Sequence, residues 1–507
     1  MRSEPTGLKL GSTVFLLFLL LADVCHGASI SLPSTRASET SPFVSIPLSK
    51  LPGDAEQLGV LGSVLMRQLH VRRGVRRLAL MRSRSPSLES NLARPISAPA
   101  SRRRHAAIHH KRSLGDGLTD SEPDDGIQVP QPDTENTNDT SSVVAATDKP
   151  KFGAKPKSEE DAEITKSHKT TYRPSTALDI EANDIGYLAT VLLGTPPKPF
   201  RLLVDSGSAD MWVGGENCQA DGGGTCGNHR FLGERSSSSF RDTGNVWNIS
   251  YGSGQVSGTM VSDQVEIAGL ELRNHSFGVA RRESAQFTPD DIPLDGMLGC
   301  AKSILSKQQT PTLVEALRSA GMIARNIISY KIPRVSDGKN DGEIALGGMN
   351  PARYDASSVA RVKNVNTGGF WEADLDAVKV NGADVKLYGR SCIFDTGTTL
   401  FIAPKEDVDV IHKSIPGARF DNSSNAWTVP CDTSASVSLR FGGLDFRIRP
   451  DDLAFLPLGS NVCTSAIAEG SVNEGPLHWL IGDTFLKNVY LSTDQDADII
   501  TLARLAD

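Results

Sequence analysis

One pattern occurs twice in this chain and limits what the chain can fold into. The first copy is Leu202-Leu203-Val204-Asp205-Ser206-Gly207-Ser208-Ala209-Asp210-Met211-Trp212-Val213, and the second is Cys392-Ile393-Phe394-Asp395-Thr396-Gly397-Thr398-Thr399-Leu400-Phe401-Ile402. Each reads as an apolar strand, a tight turn that exposes one carboxylate among hydroxyl-bearing residues, then apolar chain again. A single Asp-Ser/Thr-Gly segment is ordinary turn chemistry, in which the aspartate merely caps its own turn. Two copies in equivalent settings predict a duplicated lobe, with one carboxylate given by each copy. Carboxylates sharing a site do not ionise together, so one keeps a proton while the other is charged. Such a pair can take a proton from a water while donating one to a carbonyl oxygen. That is general acid–base amide hydrolysis without a metal or a covalent intermediate.

Further segments fall into the same register. Each loop is followed later by an apolar–apolar–Gly run, Asp295-Gly296-Met297-Leu298-Gly299 for the first and Trp479-Leu480-Ile481-Gly482-Asp483 for the second. Between them, Trp247-Asn248-Ile249-Ser250-Tyr251-Gly252-Ser253-Gly254 alternates into a Gly-x-Gly hairpin tip. Together these motifs resemble the pepsin-like aspartic endopeptidases over roughly residues 176–507. The shared proton is that family's long-known property and comes with the resemblance.

The resemblance implies an all-β, bilobal fold with a long cleft between two related lobes, residues 172–360 with the flap and residues 361–507. It implies Asp205 and Asp395 as the catalytic pair. Ser208 and Thr398 would bond the outer carboxylate oxygens, and Ser206 and Thr396 would cross-link the loops around Gly207 and Gly397. Ser206 stands where threonine is commoner, so a looser fit is expected there. Tyr251, Gly252 and Ser253 would form the tip of a flap, with the tyrosine within hydrogen-bond reach of the Trp212 indole. Tyr251, Trp212, Met297 and Leu294 would line pockets for large apolar residues of an extended peptide. Asp483 is left between two readings, a neighbour of the pair that biases it towards acid pH or a surface residue.

Seven cysteines become six if Cys25 leaves with a signal peptide, and an even count in a secretory chain suggests disulfides. The resemblance pairs Cys218 with Cys226 and Cys431 with Cys463; Cys300 and Cys392 form either a third bridge or two buried thiols. No cysteine or histidine spacing suggests a metal site, and no cofactor is expected. Asn-x-Ser/Thr sequons stand at Asn138, Asn248, Asn274 and Asn422.

The rest of the chain is organised by charge. Residues 1–27 pair Arg2 and Lys9 with the apolar run Val14-Phe15-Leu16-Leu17-Phe18-Leu19-Leu20-Leu21-Ala22, which predicts a signal peptide too short to span a bilayer comfortably. The end, Ala503-Arg504-Leu505-Ala506-Asp507, carries no apolar tail, so no stable membrane anchor is expected. Residues 28–112 hold 15 Lys and Arg against 4 Asp and Glu, whereas residues 172–507 hold 30 against 41. A basic run can mark a nucleic-acid binder, but a signal peptide upstream argues against nucleic acid. A propeptide held over an acidic cleft, and loosened when carboxylates protonate, is the better reading. Lys111-Arg112 would be cut by a processing protease, so the secreted form is expected to begin at or after Ser113. Residues 113–171 are acidic and poor in large apolar residues, and read as a linker without a fold of its own.

The expectation is a monomeric aspartic endopeptidase, extracellular or in a vacuolar or lysosomal lumen, acting on polypeptides. The rivals are a non-catalytic peptide-binding relative, which would normally have lost an Asp or the flap tyrosine, and a membrane-tethered processing protease.

Overall fold

The computed structural model describes residues 164–506, apart from 182–183, 252–253, 290–291 and 471–476. The signal peptide, the basic segment with Lys111-Arg112, most of the linker, Asn138, Gly252 and Ser253 lie outside the described residues. From Ser175 onward the chain is built from short strands, because apolar runs of four to ten residues alternate with Gly, Asp and Asn turns. Helices are short. One spans Leu313–Ser319 and starts on Thr312. A reciprocal capping box fixes that start: Glu315 N donates to Thr312 Oγ1 at 3.3 Å, and Thr312 N to Glu315 Oε2 at 3.0 Å. Another spans Lys405–Lys413, between Pro404 and Ser414.

The architecture is all-β and bilobal. In chain order the first eleven strands are β1 (Ile164–Thr165), β2 (Ser175–Glu181), β3 (Gly186–Leu193), β4 (Lys198–Asp205), β5 (Met211–Ala220), β6 (Arg241–Ser250), β7 (Gln255–Ile267), β8 (Leu270–Glu283), β9 (Gly296–Gly299), β10 (Ile327–Lys331) and β11 (Glu343–Leu346). Among the described residues they join one large sheet in the order β10-β11-β2-β3-β4-β9-β5-β8-β7-β6, with β1 on the edge of β2. Beyond β10 the sheet continues through Val489–Asp494, Ile499–Arg504 and Ala360–Lys363. The C-terminal lobe adds a five-stranded and two four-stranded sheets.

The duplication is visible in strand pairing. β4 runs parallel to β9, β9 antiparallel to β5, and β5 parallel to β8. In the second lobe Arg390–Phe394 runs parallel to His478–Ile481, that strand antiparallel to Phe401–Ala403, and the latter parallel to Ile467–Glu469. The strand Arg390–Phe394 is buried from Ser391 onward, whereas β4 alternates buried Phe200, Leu202 and Val204 with half-buried Arg201 and Leu203 before it reaches the buried Asp205. Each partner strand ends in a glycine that has no room for a side chain. A Cβ on Gly299 would lie 2.4 Å from Asp210 N, and one on Gly482 only 1.9 Å from Thr398 O.

Two apolar clusters fill the interior. The larger contains Leu178, Tyr187, Val204, Phe394, Trp479 and Leu491. The smaller lies beneath the two loops and joins Ala209, Trp212, Tyr251 and Met297 to Ile393, Leu400 and Leu480. Among the described residues no helix is long and apolar enough to cross a membrane.

Candidate active site

The two loops face each other through reciprocal bonds. Ser206 N donates to Thr396 Oγ1 at 3.0 Å, and Thr396 N to Ser206 Oγ at 2.9 Å. Each hydroxyl also donates beneath the opposite loop, Ser206 Oγ to Phe394 O and Thr396 Oγ1 to Val204 O, both at 2.9 Å. Both side chains are completely buried. The serine thus makes every bond that its threonine counterpart makes, and the looser fit expected at Ser206 is not seen. Removing either hydroxyl strands a buried backbone N–H. Ser206→Ala is therefore expected to cost about 1–3 kcal/mol, measurable as a lower midpoint in urea.

Inside that clasp each carboxylate is held in the same way. Gly207 N donates to Asp205 Oδ1 and Gly397 N to Asp395 Oδ1, both at 2.9 Å. The outer oxygens accept from hydroxyls, Asp205 Oδ2 from Ser208 Oγ and Asp395 Oδ2 from Thr398 Oγ1. Asp205 and Asp395 are fully buried. A Cβ on Gly207 would lie 2.5 Å from both Cγ and Oδ1 of Asp395. The residue that bonds one carboxylate therefore has its α-carbon pressed against the other, and only glycine permits this approach. The arrangement holds two carboxyl groups on either side of one glycine, each with its oxygens pre-oriented by fixed donors.

Tyr251 follows β6, where Tyr251 N donates to Gly254 O at 2.6 Å to close the hairpin root. Trp212 Nε1 donates to Tyr251 Oη at 2.8 Å, as the resemblance implied. Met297 packs beside the first loop, its sulfur 3.7 Å from Ser208 Oγ. Leu294 is buried, but stands outside the apolar cluster that Trp212, Tyr251 and Met297 share; its carbonyl accepts from His229 Nδ1 at 2.6 Å.

Asp483 is not a surface residue. It is 1% exposed, and neither carboxylate oxygen has a hydrogen-bond partner. Its N–H donates to Thr398 O at 2.8 Å, which fixes it behind the second loop. Burial pushes its carboxyl well above the ordinary range; Lys487 opposes the shift, and the charges of Asp395 and Asp184 add to it. Lys487 is itself committed to Asp184 and Asp452, at 3.2 and 3.0 Å. The surroundings of Asp483 favour the neutral form of the acid.

Three residues near the site were given no role by the sequence. Phe287 stands edge-on to both Trp212 and Tyr251, with ring centroids 5.6 and 5.9 Å apart. Asp210 anchors the loop after β9 by accepting from Ser306 Oγ at 2.6 Å and from Lys307 N and Gln308 N at 3.0 Å. Glu283, at the end of β8, is 4% exposed, and burial alone pushes its carboxyl up to about 8. The next residue clasps the root of the flap: Gln255 N donates to Ser284 Oγ at 2.9 Å.

Cys218 is bonded to Cys226 and Cys431 to Cys463. Of the alternatives for Cys300 and Cys392, the structure has two buried free thiols. A third bridge is absent because the two stand in different sheets: Cys300 follows β9 and its thiol donates to Leu298 O at 3.4 Å, whereas Cys392 pairs with Trp479 and Ala373. The one group of donor atoms close enough for a metal among the described residues is Cys218, Cys226 and Glu283, and its sulfurs are already bonded to each other. Asn248, Asn274 and Asn422 are exposed.

Comparison with known proteins agrees with this geometry. The family model described as eukaryotic aspartyl protease matches residues 186–505. A probable aspartic-type endopeptidase CTSD of Arthroderma benhamiae is 34% identical over 321 residues, 63% of this chain and 61% of the relative. Aspartic-type endopeptidase ctsD of Aspergillus fumigatus is 34% identical over 64% of this chain and 66% of its own length. Rhizopuspepsin-1 of Rhizopus niveus is 32% identical over 64% and 80%. The chain thus spans somewhat less than two thirds of the length of the first two. With both aspartate loops, their partner strands and the flap inside the matched stretch, the chain belongs to the eukaryotic aspartyl protease family.

Proposed function

We propose that this protein is an aspartic endopeptidase that hydrolyses polypeptides at acid pH. The observation that carries the reading is the pair of cross-linked loops, in which Gly207 bonds Asp205 and abuts Asp395. In the reaction Asp205 and Asp395 share one proton and hold a water between them. The charged carboxylate takes a proton from the water, which attacks the scissile carbonyl carbon. The protonated carboxylate donates to the carbonyl oxygen, giving a tetrahedral diol. A proton then passes to the amide nitrogen, the C–N bond breaks, and the pair returns to its starting state. The donors to the inner and outer oxygens keep both carboxylates in place without reorganisation as charge moves.

The substrate lies extended under the flap, with its large apolar side chains against Tyr251, Trp212, Met297 and Leu294 around the cut bond. The flap excludes water and orders the peptide when it closes. Trp212→Phe removes the indole N–H that holds Tyr251, and is expected to lower kcat/KM about 3- to 10-fold, the equivalent of one hydrogen bond. Stopped assays on an apolar peptide at acid pH, with the melting temperature followed alongside, check this.

The basic segment 28–112 acts as an inhibitory propeptide, removed by a processing protease at Lys111-Arg112. The signal peptide sends a monomeric product to the extracellular space or to a vacuolar or lysosomal lumen. Cleavage of a denatured protein at acid pH, abolished by pepstatin, tests the activity; no cleavage by the processed chain refutes it.

A further inference from the structure

Residues 164–170 have the composition of a linker, yet buried side chains of the body hold them. β1 pairs with the edge of β2, Ile164 opposite Glu181 and Thr165 opposite Ile180. Asp179 is 6% exposed, and its carboxylate accepts from Lys166 Nζ at 2.7 Å and from both N and Oγ of Ser167 at 3.0 Å. Among the described residues no other donor bonds that carboxylate. Asn340, 2% exposed, works from the other side. Its side-chain N–H groups donate to Thr165 O at 2.9 Å and to Leu178 O at 2.8 Å, so one amide staples β1 and β2 together. Its backbone carbonyl accepts from His168 N at 2.8 Å and from His168 Nδ1 at 2.9 Å. Without the segment, a buried carboxylate and a buried amide N–H lose their partners, and β2 keeps an open edge.

We propose that residues 164–170 stay with the processed enzyme as a strap. The cut that frees the basic segment then falls after Arg112 and no later than the bond before Ile164, and Lys166 and Lys169 are not processing sites, although both are exposed. This rests on the propeptide reading above. A protease must draw several residues of substrate into an extended form. At Lys166-Ser167-His168 that would break the Asp179 and Asn340 bonds.

Two measurements test the proposal. Intact mass and N-terminal sequencing of the active enzyme, purified after secretion of the full chain, should give a first residue between Ser113 and Ile164. A first residue at Thr165 or later overturns the strap. An active chain still carrying residues upstream of Ser113 overturns the propeptide reading, and the strap proposal with it, and the two failures are told apart by where the chain starts. The second measurement does not depend on the natural cut. A recognition sequence for a site-specific protease is inserted in the full chain, either between Glu163 and Ile164 or between Thr170 and Thr171. Cutting at the first site should leave the melting temperature unchanged, and cutting at the second should lower it by about 3 °C or more. Equal melting temperatures after the two cuts overturn the proposal.

Discussion

Asp205→Asn lowers kcat roughly 10,000-fold on any peptide substrate, the upper range for loss of a positioned acid–base group, while the fold survives. Asparagine has the shape of aspartate: its one oxygen still accepts from Gly207 N, and its amide N–H faces Ser208 Oγ, which then accepts where it donated to the carboxylate, so the loop keeps its bonds. It cannot share a proton with Asp395. Asp395→Asn behaves alike, because Gly397 N and Thr398 Oγ1 hold the second carboxylate in the same pattern. The double variant is expected to be no worse than either single one, since the two carboxylates act as a unit. Rates measured against a melting curve for each variant check this; activity within tenfold of wild type in a folded Asp205→Asn protein contradicts the role given to it.

The second large effect concerns stability and pH. Burial pushes the Glu283 carboxyl up to about 8 in the folded protein, against an ordinary value of 4.5. Its carboxyl lies against Gly214, where an added Cβ would be 3.4 Å from Glu283 Oε1. Charged groups on the neighbouring stretches are engaged elsewhere: Glu216 by Arg235, Asp221 by Arg282 and Asp242 by Arg281. Between pH 4.5 and about 8 the folded state keeps the proton and the unfolded state releases it. Stability therefore falls as pH rises through that window, and the loss is complete above about 8. Glu283→Gln imitates the protonated acid at every pH. It should match wild type near pH 4 and exceed it at pH 8 on the order of a few kcal/mol. Denaturant melts at the two pH values measure the difference, and equal stabilities at pH 8 contradict the buried-acid account. Ser284 holds the flap root one residue on, so the same titration is expected to loosen the flap at high pH.

What could be read in the sequence, and what could not, follows from how local each constraint is. The two aspartate loops were legible because the chemistry needs Asp, a hydroxyl and a glycine in fixed order, and Gly207 shows why the glycine is required. The Ser206–Thr396 clasp and the Trp212–Tyr251 bond followed from motif positions and are present. Phe287 and Glu283 lie in stretches with no pattern, and they matter only because folding brings β8 and the following turn against the flap. The strap at residues 164–170 was hidden for a related reason. Its strand is two residues long, too short for any periodicity, and its stability comes from Asp179 and Asn340, which lie elsewhere in the chain. Asp483 was ambiguous because its neighbour in sequence, Gly482, allows either an exposed turn or the close approach to Thr398 O that the structure has.

The central claim is that Asp205 and Asp395 hold one water and one proton between them. A high-resolution crystal structure of the processed enzyme with a peptide inhibitor bearing a hydroxyl in place of the scissile carbonyl tests it most directly. The account predicts that hydroxyl within about 3 Å of an oxygen from each carboxylate, at hydrogen-bond distance to both. A hydroxyl that touches only one aspartate, or a peptide bound away from both, would contradict it.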